Sequence, residues 1–109
     1  MTVNELVAAC DLKVLSLTDG DRNVDGAYVG DLLSWVMGRA SQDNAWITIM
    51  SNVNVIAVAS LSDVSCVIFA EGVAPDAEIL KLAEEKEINL LSSELPTFET
   101  AAKLSAFIK

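Results

Sequence analysis

The stretch that most limits the possible folds of this chain is Ser65-Cys-Val-Ile-Phe-Ala70. A strand with one wet face alternates apolar and polar residues, and this one does not. It must be covered on both sides, as in a parallel sheet flanked by helices. Trp46-Ile-Thr-Ile-Met50 and Ile88–Leu91 read as strands of the same kind. Between and after them the pattern turns helical. Ile79, Leu82 and Ala83 form an inward stripe opposite Lys81, Glu84, Glu85 and Lys86. Pro75, Asp76 and Glu78 suit that helix's first turn. A last helix over Thr97–Ile108 would face inward with Phe98, Ala101, Leu104 and Ile108. From Trp46 onward strand and helix recur about every twenty residues, and right-handed crossovers turn such repeats into a parallel sheet. The expectation is an α/β domain spanning residues 1–109, small and three-layered. Its sheet is mostly parallel, built from repeated strand–helix units, with helices on both faces.

The first half is less regular. Thr2 and Glu5 stand at capping-box spacing, and Val3, Leu6, Val7 and Cys10 make one buried stripe of a first helix. Asp11 ends it, and Lys13–Leu17 is a short strand. Residues 18–26 form a polar loop. Asp19, Asp21 and Asn23 match the opening of a calcium loop, but Val24 replaces its glycine and Gly30 its bidentate glutamate, so the loop reads as an Asp/Gly-rich turn. A strand-like run, Val24–Val29, then leads through Gly30 into a helix that opens near Asp31 and closes at Gly38. On that helix Leu32, Leu33, Trp35, Val36 and Met37 span roughly 200° of arc, about twice what one buried side needs. Either a second surface covers the excess, or the first helix folds back over it. Residues 54–61, Asn-Val-Ile-Ala-Val-Ala-Ser-Leu, satisfy neither period. A short buried helix is favoured over a strand because a strand would leave its neighbours unbridged.

Composition excludes several functions. Sixteen acidic residues against seven basic ones give a net charge of −9, and the basic residues are scattered, so nucleic acid is not an expected partner. Absence of histidine rules out Cys–His and Ser–His–Asp catalysis and leaves no metal set. Cys10 and Cys66 stand alone in apolar sequence, as buried thiols of a reducing compartment do. No apolar run is long enough to span a membrane and no export signal opens the chain, so a cytoplasmic protein without membrane contact is expected. The glycine-rich phosphate loops are missing, and no cofactor is expected.

Ligands of open parallel sheets bind past the carboxyl ends of the strands. That edge would gather Ser51, Asn52, Asn54, Glu71, Gly72, Ser92, Ser93 and Thr97, hydrogen-bonding groups at helix starts that suit a small polar or anionic molecule. The same residue types cap helices and make turns. No acid, base or nucleophile has a partner among them, so they favour binding over catalysis.

Residues 24–38 (Val-Asp-Gly-Ala-Tyr-Val-Gly-Asp-Leu-Leu-Ser-Trp-Val-Met-Gly), 46–49, 54–61 and 68–72, in this order, resemble the DRTGG domain. The similarity runs from about Lys13 to the final helix. Asp21-Arg22 keeps the start of the family's motif, whereas Asn23-Val24-Asp25 stand where Thr-Gly should precede Gly26. The resemblance implies an accessory α/β module, of the kind attached to CBS-type inorganic pyrophosphatases and some phosphate acetyltransferases. It is also similar to the N-terminal domain of HPr kinase/phosphorylase. Such modules self-associate or regulate while a neighbour performs catalysis. The combined expectation is a non-catalytic regulatory and interaction module. It would form a homodimer through Tyr28, Leu32, Trp35 and Met37 and serve a client protein. The alternative is a metabolite or nucleotide sensor using the strand-end residues.

Overall fold

The computed structural model describes residues 1–108. Its elements run α1 (Val3–Cys10), β1 (Lys13–Ser16), β2 (Gly26–Val29), α2 (Leu33–Arg39), β3 (Asn44–Thr48), α3 (Asn54–Ser62), β4 (Cys66–Phe69), α4 (Ala77–Glu85), β5 (Leu90–Ser92) and α5 (Thr97–Ser105). One five-stranded sheet carries them in the order β1-β5-β4-β3-β2. β2, β3, β4 and β5 are parallel, and β1 closes the far edge antiparallel to β5. The α/β class and the mostly parallel sheet are as the apolar strands require.

Strand alternation sorts the core into two halves. Ala45, Ile47, Cys66, Ile68 and Leu91 face α1 and α5, where they meet Val3, Leu6, Cys10 and Leu104. Trp46, Val67, Phe69 and Leu90 face α2, α3 and α4, where they meet Val36, Val55, Ile56, Ala59, Ile79 and Ala83. β4 is buried along its whole length, which is why its sequence lacks alternation. Residues 54–61 are helical. The side chains of α3 are apolar almost all round because the helix sits between α2 and α4 on the sheet.

Several local expectations are corrected. The second strand begins at Gly26, not Val24, whose buried side chain belongs to the α1 side of the core. Helix α2 starts at Leu33 and runs through Gly38 to Arg39. Asp31 does not serve its N-terminus: its carboxylate accepts the Thr48 hydroxyl at 2.8 Å and the Ile49 N–H at 2.9 Å, tying β2's exit to β3's end. Asp76 caps α4 by accepting the Ile79 N–H, so Pro75 lies ahead of the helix. In α5, Phe98 points outward and is 79% exposed, while Thr100 is buried. Phe98 lies about 120° from Leu104 around the helix and Thr100 only about 40°. Thr100 can be buried because its hydroxyl meets Ser93 Oγ at 2.8 Å and donates to the Leu95 carbonyl. Finally, α1 packs against α5 on the opposite face of the sheet, so it does not cover α2.

The capping box of α1 is present, with Thr2 and Glu5 each accepting the other's backbone N–H. That reciprocal bond lowers the Glu5 carboxyl below its ordinary range. The next donors of α1 are taken by the polar loop: Val3 N–H donates to the Arg22 carbonyl and Asn4 N–H to the Gly20 carbonyl. Gly20 lies so close to Asn4 that an added Cβ would collide with its side-chain amide.

Candidate functional site

At the carboxyl ends of the strands the structure brings some of the expected residues together. After β4, Glu71 and Gly72 both take left-handed backbone angles, φ +63° and +68°. The Glu71 N–H donates to the Leu95 carbonyl and the Gly72 N–H to the Ser93 carbonyl, which turns the chain back over the end of β5. The Glu71 carboxylate accepts the Thr97 N–H at 2.9 Å and so caps α5. Ser93 Oγ accepts the Leu95 N–H at 3.2 Å. Glu71, Gly72, Ser93 and Thr97 are thus one hydrogen-bonded corner whose polar groups engage one another.

Ser51, Asn52 and Asn54 are exposed at the start of α3, where Asn52 Oδ1 accepts the Asn54 N–H in a local turn. Ser92 and Ser93 border a cavity of about 150 Å³ between the ends of α1, β1 and β5 and the side of α5. Cys10, Asp11, Lys13, Glu94, Leu95 and Lys103 complete its wall. The Cys10 thiol there is held protonated by burial, with Lys103 pulling the other way.

A larger polar cavity, about 330 Å³, opens at the amino ends of the strands, where the strand-end rule does not point. Thr18, Asp19, Arg22, Glu87 and Asn89 line it. Asn89 is buried ahead of β5. Its Oδ1 accepts the N–H groups of Thr18 and Asp19, both at 2.9 Å, and its Nδ2 donates to the carbonyls of Asp19 and Ser65. Arg22 closes the other side. It donates through Nε and Nη2 to Asp43 Oδ1 at 3.2 and 3.1 Å, and through Nη2 to Asp63 Oδ1 at 2.8 Å and to the Asp63 carbonyl. Burial opposes its charge, but the bonds from Asp63 and Asp43 outweigh that and raise its pKa. Asp43 and Asp63 both hold left-handed backbone, which brings the ends of two loops onto one guanidinium. Sequence reasoning passed over Asn89, and met Arg22 only as part of the family's motif, with no contact assigned to it. The signal for Asn89 was a lone amide inside the apolar run Ile88-Asn-Leu-Leu.

A third feature lies on the outer surface of α2 and beside it. Leu32, Trp35 and Met37 are 59%, 55% and 50% exposed, and Arg39 stacks on the Trp35 ring at 3.7 Å. Tyr28 is different: it is half-buried against the α2–α4 side of its own core. Trp46, the other tryptophan, is fully buried and donates its indole N–H to the Gly30 carbonyl at 2.9 Å.

Among the described residues, no group of three acidic or cysteine side chains converges in a way that could hold a metal ion. No helix there is long and apolar enough to cross a membrane.

Comparison with known proteins places this geometry. No curated protein sequence matches the chain. The fold is similar to the crystal structure of the CBS and DRTGG domains of the regulatory region of Clostridium perfringens pyrophosphatase, complexed with the activator diadenosine tetraphosphate. The TM-score is 0.74 at 14% sequence identity, over 94% of this chain and 45% of that one. The chain therefore spans less than half of that regulatory region. The model of the DRTGG domain matches residues 5–107, so the chain belongs to the DRTGG domain family.

Proposed function

We propose that this domain is a non-catalytic regulatory module that works as a homodimer and serves a partner protein. The observation that carries the reading is the exposed apolar group Leu32, Trp35 and Met37. Three large side chains at about half exposure fall within six residues of chain, flanking the buried Val36, a denser run than the single apolar residues scattered over an ordinary monomer. Trp and Met are also residues enriched where proteins meet. The family supports the regulatory part, since the similar clostridial domain lies in a region that regulates an enzyme.

Light scattering over a dilution series tests it. The parent protein is expected as a dimer at micromolar concentration, and Trp35→Glu as a folded monomer that loses about 1–2 kcal/mol with the buried half of the ring and its stack on Arg39. A parent protein that is monomeric throughout overturns the reading.

Small-molecule sensing is the second reading, supported by the activator bound to the similar regulatory region and by the cavity beside Ser92 and Ser93. At about 150 Å³ that cavity is below the ~300 Å³ at which ligand pockets usually begin. It suits a small metabolite rather than a dinucleotide. Melting curves that stay flat across nucleotides and central metabolites would count against this reading.

A further inference from the structure

We infer that two copies of this chain pair through their β2 strands, antiparallel across a two-fold axis at Ala27, so that one sheet continues through the dimer. This rests on the self-association proposed above and names its geometry.

The two edges of the sheet are built differently. β1, at one edge, carries Lys13 and a register break between Val14 and Ser16, two devices that discourage another strand from adding. β2, at the other, has neither. It runs in unbroken register from Gly26 opposite Asn44 to Val29 opposite Ile47. Its residues, Gly-Ala-Tyr-Val, contain no charge and no proline. An unguarded edge presents a row of free backbone donors and acceptors, ready to template a further strand.

Apolar surface flanks this edge on both sides of the sheet. Toward α5, Val29 is 46% exposed, and Ala27, Val29, Ile47, Ala101, Leu104 and Ile108 line an open groove of about 210 Å³. An added strand would extend the floor of that groove. The chain just past β2 carries Leu32 and Trp35. The three exposed side chains around α2 offer on the order of 400 Å² by themselves. A stable interface takes about 800 Å² from each partner, so α2 needs the neighbouring edge to complete it.

Charge selects the partner and the register. A two-fold axis requires the same patch on both copies, and the pleat requires opposed residues to point to the same face. With Ala27 on the axis, Tyr28 lies opposite the partner strand's glycine and Asp25 opposite its valine. Moving the axis to Tyr28 would set Asp25 against Asp31, a like-charge pair that destabilises a ladder. On a chain carrying −9, the uncharged run Gly26–Val29 is a place where two copies can approach.

The test is Ala27→Cys in the full chain. Directly opposed Cα atoms in an antiparallel pair lie about 4.5–5.5 Å apart, within the ~4.4–6.8 Å that a disulfide spans. The native thiols of Cys10 and Cys66 are buried and do not interfere. Mild oxidation is expected to convert most of the protein to a cross-linked dimer on a non-reducing gel. Ser34→Cys, exposed on α2, is expected to cross-link at least tenfold less. If light scattering gives a dimer but Ala27→Cys stays uncross-linked, or links no better than Ser34→Cys, edge pairing is wrong while the dimer stands. If the parent is a monomer, both fall.

Discussion

Asn89 and Asp19 hold each other by a reciprocal pair of hydrogen bonds: the Asn89 amide donates to the Asp19 carbonyl at 2.8 Å, and the Asp19 N–H donates to Asn89 Oδ1 at 2.9 Å. With the bonds to Thr18 and Ser65, one buried amide anchors the polar loop to the start of both β4 and β5. It supplies backbone partners that a sheet edge cannot supply there.

Replacing that amide should therefore cost more than a surface change. Asn89→Ala strands two N–H groups and two carbonyls, and about 2–3 kcal/mol of stability should go. For a domain of this size that lowers the melting temperature by roughly 10–20 °C. Asn89→Asp keeps the acceptor but sets a buried carboxylate oxygen against the two carbonyls, so it should cost at least as much. Urea denaturation of the two variants checks the order. Parent-like stability of Asn89→Ala would contradict the anchoring role.

Arg22 makes a different kind of link. Its guanidinium side chain is 24% exposed, and its partners Asp43 and Asp63 are 30% and 54% exposed, so solvent screens the charge part of the bond. The fork that reaches two carboxylates and the Asp63 carbonyl at once is what a point charge cannot copy. Arg22→Met should cost about 1–2 kcal/mol, and Arg22→Lys should recover less than half of it. High salt should narrow the gap between parent and Arg22→Met. A gap that is unchanged in high salt would show that packing of the stem, not charge, does the holding.

Cys66 sits fully buried between β3 and β5, and burial pushes its thiol from an ordinary 9.0 up to about 12, with Arg22's charge opposing weakly. The folded pKa is above the unfolded one, so the folded chain holds its proton more tightly. The resulting stability is fully present below pH 9.0 and drains away as pH rises toward about 12. Cys66→Ala should lower stability at neutral pH by about 1 kcal/mol, for the lost volume, and should flatten the decline above pH 9. In the native state neither this thiol nor that of Cys10 should react rapidly with a thiol reagent, and both should react once the chain is unfolded. Rapid native labelling of Cys66 would overturn the assignment.

How much of this was legible in the sequence follows from the range of the forces involved. Local patterns carried the secondary structure. The unbroken apolar run of β4 required cover on both sides, the Thr2–Glu5 spacing specified a capping box, and the α4 stripe specified an amphipathic helix. These are properties of neighbours along the chain, so the α/β class and the mostly parallel sheet could be reached without coordinates. The excess apolar arc of α2 was legible for the same reason, as a count of side chains around one helix. Its exposure was not, because that depended on which face α1 would join.

Tertiary structure decided everything that joins distant residues. Asp31 looked like a helix-start acid, yet the end of β3 lies close enough to offer it two donors. The strand-end serines and Glu71 looked like ligand contacts, and the fold sets several of them to bonding one another at the β5–α5 corner. The polar cavity of Thr18, Arg22 and Asn89 formed where the sheet rule does not look, since its walls come from segments dozens of residues apart. Periodicity along a chain records which side chains must leave water. Which polar groups then meet is set by the crossovers that place loops side by side, and a single sequence does not carry that information.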